Sequence, residues 1–239
     1  MNTSSDPCPE FLFEAARHWG ADLVAVADTA LLTGIETDPP DLLSRYPRAV
    51  SLAVRLADGI MDQIFDRPSP LYARHYQNVN ALLDQIATRV SGLLQSRGGR
   101  TLPVPASHIL CEERFQASLS HKAVAICAGL GWQGKSLLLV TPQYGPRVRL
   151  VTVLTDLPLP AGSPLKNRCA ECTVCTEACP AGAIQNACTE LHYATRSEAV
   201  DLEACVRQLR RNERLEHIPP YICGVCVSVC PWGRPKRAA

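Results

Sequence analysis

Aromatic residues are scarce in this chain, at 5% of 239 positions, and there is almost no net charge, +1 from 24 basic and 23 acidic side chains. That balance excludes the one-signed field with which many proteins gather polyanions. No basic tract interleaved with aromatics is present either, so the sequence alone argues for no nucleic acid among its partners. No apolar run approaches the ~18 residues that would cross a bilayer, and no membrane partner is expected. The start, MNTSSDPCPE, lacks both a charged-then-apolar leader and a twin arginine. Together these absences give the expectation of a cytoplasmic protein.

What the chain does have is cysteine, 12 residues in all. With nothing directing export, clustered thiols read as metal ligands rather than disulfides. Only Cys8, Cys111 and Cys127 precede residue 169, and nine follow from there on. The prolines and glycine of PLPLPAGSPLKNR lie at this change in composition and mark a boundary. The expected division is one domain over 1–165 and a second over 166–239.

The first part alternates between helical and strand patterns. Glu10–Trp19 is helical in spacing, and DLVAVAD (22–28) and AVSLAVRL (49–56) read as strands. From Pro70 to about Ser96, Leu82, Leu83, Ile86, Val90, Leu93 and Leu94 recur at three and four, the period of an amphipathic helix. Ser69 suits its N-cap and Gly98-Gly99 its far end. TLPVPA (101–106) is strand-like, Leu119–Ala128 helix-like, and LLLVT and VRLVTVLTD are strands again. Such a mixture predicts a layered α/β or α+β domain.

Residues 129–136, GLGWQGKS, satisfy the expression of a phosphate-binding P-loop. That motif needs a strand before its glycines and a helix after them, so that phosphate meets a helix N-terminus. Here the preceding SHKAVAICA has helical spacing, and LLLVT with Pro142 and Gly145 follows. The order is reversed, and the glycines read as a helix end and turn.

The run CAECTVCTEACP places Cys169, Cys172, Cys175 and Cys179 before Pro180. This is the bacterial ferredoxin spacing, in which three thiolates hold one cubane and the fourth ligates another. A second run, CGVCVSVCP, supplies Cys223, Cys226 and Cys230, and Cys205 lies between the two. The economical pairing gives Cys169, Cys172, Cys175 and Cys230 to one 4Fe-4S cluster, and Cys179, Cys205, Cys223 and Cys226 to the other. Cys188 is an alternative to Cys205. Two structural zinc sites are the competing reading, although zinc asks for neither the third evenly spaced cysteine nor the repeated Cys-Pro ending.

The segments SPLYARHYQNVN, AGLGWQGKS, TPQYGPRVRLVTVLTDLPL, CAECTVCTEACPAGAI and CGVCVSVCPW resemble, in the same order, those of epoxyqueuosine reductases. That family is in turn similar to the catalytic part of reductive dehalogenases. The resemblance implies a nitroreductase-like α/β domain, a ferredoxin-like domain with two 4Fe-4S clusters, and a cobalamin. It implies Tyr72, Ala73, Trp132, Lys135, Ser136 and Gly224 as corrin contacts. Three departures stand out: the family's acid falls on Phe115, the chain stops at PWGRPKRAA without the family's helical repeats, and the segment from Ala30 to Tyr46 is short. Glu113, beside Glu112, and Tyr144 are then the candidate proton donors.

The resulting expectation is an oxidoreductase that draws electrons from an external donor of ferredoxin or flavodoxin type. They pass through two clusters to cobalamin, to reduce a small molecule or the corrinoid of another protein. A transfer-RNA substrate is not expected. The alternative is a ferredoxin-type electron carrier that docks a partner and binds no cobalamin.

Overall fold

The computed structural model describes residues 9–234, so Cys8 and the last five residues lie outside it. In chain order the elements are α1 (Glu10–His18), β1 (Leu23–Asp28), β2 (Arg48–Arg55), α2 (Asp58–Met61), α3 (Pro70–Gln95), β3 (Thr101–Val104), α4 (His121–Cys127), β4 (Trp132–Gln133), β5 (Leu139–Val140), β6 (Val148–Thr155), α5 (Val174–Glu177), α6 (Leu202–Asn212) and α7 (Val225–Ser228). This is a mixed α+β fold. No described helix is long and apolar enough to cross a membrane.

The chain divides into two compact units, each assembled from separated segments: 1–54, 80–130 and 149–164 in one, and 55–79, 131–148 and 165–239 in the other. The first holds a four-stranded sheet in the order β1-β2-β6-β3, with β1 antiparallel to β2 and β3 antiparallel to β6. β2 is rich in small and β-branched residues, and Ala49, Val50, Leu52 and Ala53 are all fully buried. The later turns of α3 add Leu83, Ile86, Val90 and Leu94 to this core at helical spacing. His121, at the start of α4, belongs to the same unit. Its Nε2–H donates to the Pro105 carbonyl (3.1 Å) and its Nδ1 accepts from the Thr152 hydroxyl (2.8 Å). Burial pushes the imidazole down to about 4, so it is neutral.

In the second unit, α3 begins where the sequence placed it: the Ser69 hydroxyl accepts from the Tyr72 amide at 3.1 Å. The glycine-rich stretch is helix, turn, strand. α4 and Gly129, at φ +83°, still belong to the first unit; in the second, Trp132–Gln133 pair with Leu139–Val140 in a two-stranded ribbon. Gly131 cannot be otherwise, because a Cβ there would sit 2.2 Å from the Val140 carbonyl oxygen. A helix precedes this turn and a strand follows it, the reverse of a phosphate-binding loop, which removes that reading.

Candidate metal centre

The second unit has little regular structure in its two cysteine runs, where α5 and α7 are each four residues long, whereas Cys205 stands in the 11-residue α6. Side chains bonding to backbone take over the work of a ladder. Asn167 is one such staple: its Oδ1 accepts from the Cys169 amide (2.8 Å), while its Nδ2 donates to the carbonyls of Gln133 and Thr189 (both 2.8 Å). Asn212 is another, donating to the Ile222 carbonyl at 3.0 Å just before the second cysteine run.

Cys169, Cys172, Cys175, Cys226 and Cys230 line one cavity, whose empty space, open mouth included, is ≈ 380 Å³. Lys135, Ser136 and Trp232 complete much of its wall. No carboxylate or imidazole faces it, so the donor set is soft sulfur, the chemistry that selects iron–sulfur clusters and thiophilic metals. No described cysteine is in a disulfide. Among the described residues no three histidine, cysteine or acidic side chains converge closely enough to hold a single ion; the thiols stand around a space.

Their electrostatics link them in two overlapping groups that share Cys175. Burial pushes Cys230 up to about 11, with Cys169, Cys175 and Cys172 adding to the rise. Burial also pushes Cys226 far up, helped by Cys223, Cys205, Cys175 and Cys179. Cys223 and Cys175 move the same way for the same first reason. A group of buried thiols cannot ionise together without compensating positive charge, so protons occupy them until a metal group displaces the protons. Cys188 is exposed, its Sγ 3.9 Å from the Ala170 carbonyl oxygen.

The Trp132 indole N–H reaches the sulfur of Cys169 and the Ala183 amide that of Cys179, both at 3.4 Å. Trp132 is fully buried and meets Trp232 edge to face, with ring centroids 4.8 Å apart. Lys135, 4% exposed, donates to the Cys172 carbonyl (3.0 Å) and to Asn186 Oδ1 (2.9 Å).

The other candidates are placed as follows. Tyr72 and Ala73 are buried in the first turn of α3. Gly224 takes φ +85° against the Tyr72 ring, where a Cβ would lie 2.6 Å from Cε1. Of the six candidate corrin contacts, Ser136 and Gly224 keep partial exposure, whereas Tyr72, Ala73, Trp132 and Lys135 are enclosed. Tyr144 has the Arg55 guanidinium 4.9 Å above its ring, and its amide donates to Thr141 Oγ1 at 3.0 Å. Glu112 and Glu113 are exposed in an irregular loop that Cys111 and Gln116 tie together through an isolated bridge. Sequence reading missed Arg147, 1% exposed, which pairs with Asp58 and Asp62 (3.2 Å each) and donates to the Ser228 carbonyl at 3.0 Å. It missed Asn167 as well, whose place two residues before Cys169 is the available signal of an Asx turn.

Residues 168–233 match the family described as 4Fe-4S double cluster binding domain. An epoxyqueuosine reductase of Listeria monocytogenes is 37% identical over 121 residues, 48% of this chain and 30% of that protein. The fold is that of a reductive dehalogenase whose structure suggests a mechanism for B12-dependent dehalogenation: TM-score 0.76, 20% identity, 99% of this chain and 33% of that one. It is also that of an epoxyqueuosine reductase solved with an epoxyqueuosine-modified tRNA-Tyr stem loop: TM-score 0.61, 21% identity, 94% and 64%. The chain spans about a third of the length of the curated relatives it matches.

These likenesses overturn one expectation. Transfer RNA was set aside in favour of a small molecule or a corrinoid protein, yet relatives at 30–37% identity over half the chain are named epoxyqueuosine reductases, and one structure of the fold holds a tRNA stem loop. The exclusion of nucleic acid falls with it. Net charge was a weak guide, and Phe115 sits at φ +48° in a loop where no ladder fixes register. The point at which the chain ends carries no information about substrate. In sequence and in fold the chain thus resembles epoxyqueuosine reductases, and its residues 168–233 match a double 4Fe-4S cluster binding domain.

Proposed function

We propose that the chain is the redox core of a reductase acting on epoxyqueuosine in transfer RNA, using two 4Fe-4S clusters and a cobalamin. The observation that carries this reading is the gathering of five thiols round one cavity inside the stretch matched to a double cluster domain. Cys169, Cys172, Cys175 and Cys230 hold one cluster in this reading, supported by the electrostatic nearness of Cys230 to the other three. Cys179, Cys205, Cys223 and Cys226 hold the second, supported by the nearness of Cys226 to its partners. Cys205, rather than the exposed Cys188, is among those partners.

Bound cobalamin supplies a cobalt centre able to accept single electrons and pass them to a carbon–oxygen bond. The chain's own residues do the rest. The Trp132 and Ala183 N–H groups stabilise negative charge on the cysteine sulfurs and so raise the ease of reduction. Ser136 and Gly224 keep surface through which a corrin would be met, and Tyr72 props Gly224 from behind. Converting an epoxide to an alkene takes two electrons and two protons and releases water. The electrons come from an external one-electron donor; Glu113 or Tyr144 delivers one proton, and solvent supplies the other.

Anaerobic reconstitution followed by iron, sulfide and zinc analysis tests the first half: two cubanes per chain are expected, and zinc in their place overturns the reading. Incubating the loaded protein with cobalamin, a chemical reductant and an epoxyqueuosine-modified stem loop tests the second. Appearance of queuosine supports the substrate; none, with both clusters reduced, removes it. E113Q and Y144F then separate the two proton donors by their kcat.

A further inference from the structure

Lys135 presents an unusual charge balance. Its side chain is 4% exposed, it lines the cavity that Cys169, Cys172, Cys175, Cys226 and Cys230 share, and both of its hydrogen-bond acceptors, the Cys172 carbonyl and Asn186 Oδ1, are neutral. Burying an ammonium group among neutral oxygens is costly unless an anion compensates it. Asn186 is itself held for this task. It adopts φ +59°, a conformation asparagine tolerates better than most residues, and its Oδ1 also accepts from Thr176 Oγ1 at 3.4 Å. A carboxylate at 186 would satisfy the lysine as a closed ion pair; the amide leaves its charge available to the cavity. A cluster held by four thiolates is anionic and gains a further negative charge when it takes up an electron.

Resting on the cluster assignment above, we propose that Lys135 is a positioning residue for electron transfer: its buried charge raises the reduction potential of the cluster bound by Cys169, Cys172, Cys175 and Cys230. The step is a single electron from a low-potential donor onto that cluster, with no proton or bond change. The fixed ammonium favours the product because the product carries one more negative charge in the same low-dielectric surroundings. The second cluster, ligated by the other set, is shifted less.

The test is a redox titration of the reconstituted holoprotein with dithionite, followed by electron paramagnetic resonance, on wild type, K135M, K135R and N186D, each checked for iron and sulfide. K135M keeps the apolar stem and removes the charge; N186D keeps the lysine and neutralises it in place. Both are expected to make one cluster harder to reduce by about tenfold in equilibrium constant, about 59 mV for one electron, and to leave the other within about threefold by the same relation. K135R is expected to stay near wild type. An unmoved midpoint in K135M at full iron content overturns the proposal and reduces Lys135 to a pin for the Cys172 turn. Should K135M fail to load iron, the N186D midpoint decides alone, with the same two outcomes. Zinc in the wild type would instead sink the cluster reading itself, a result visible in the metal analysis before any titration.

Discussion

The two units of this chain are stabilised by different means. The first is ordered by a hydrogen-bonded sheet whose central residues, Val50, Leu52 and Ala53, lose all contact with water. The second has one longer helix, the 11-residue α6, but its two cysteine runs hold only four-residue helices, and its turns are pinned by Asn167, Lys135, Arg147 and Asn212. One can stand on apolar burial; the other surrounds a group of thiols that burial alone penalises. Regular structure and metal ligation are thus alternative ways of fixing a backbone.

The largest effect that follows is on iron removal. Chelation under reducing conditions should cost the amides of 169–182 and 222–230 at least about a hundredfold of their hydrogen-exchange protection, while those of β1, β2 and β6 keep theirs. Equal loss in both units would break the comparison. Next comes R147M. Removing one member of a buried ion pair costs ~3–5 kcal/mol, but Asp62 is 61% exposed, so about 2–3 kcal/mol is expected in denaturant titrations monitored by cluster absorbance. G224A forces a methyl to within 2.6 Å of the Tyr72 ring at a positive φ, and should cost a similar or slightly smaller ~1–3 kcal/mol by the same measurement. The smallest effect sharpens the contrast from the other side. His121 lies in the sheet unit with its imidazole pushed from 6.5 down to about 4 by burial. The unfolded chain therefore binds more protons between those values, so stability is fully present above pH 6.5 and falls as pH drops towards 4. H121Q should flatten that slope in acid melts of the iron-loaded protein.

How much of this was legible beforehand follows from the range of the interactions. α3 was readable from Ser69, Pro70 and its leucine spacing because capping and periodicity are local. The order helix, turn, strand over 121–140 was readable for the same reason, and it disposed of the phosphate-binding motif. The ferredoxin spacing of 169–180 announced its chemistry directly. What stayed hidden joins residues far apart in sequence: Arg147 to Asp58, Lys135 to Asn186, Gly224 to Tyr72. No local pattern records such a pairing. For the same reason composition did not show that 55–79 and 131–148 belong to the cysteine-bearing unit. Nor could the partial charge balance of a whole chain report which polyanion a family accepts.

The pairing of Trp132 with Trp232 has an optical consequence. Of the chain's three tryptophans, Trp232 lines the thiol cavity, and Trp132, packed against it, is wholly shielded from water and bonded to the sulfur of Cys169. Iron bound there would drain their excited states by energy and electron transfer. Ultraviolet emission should consequently brighten as the protein loses its metal, giving a label-free gauge of cofactor loading built into the wall of the site.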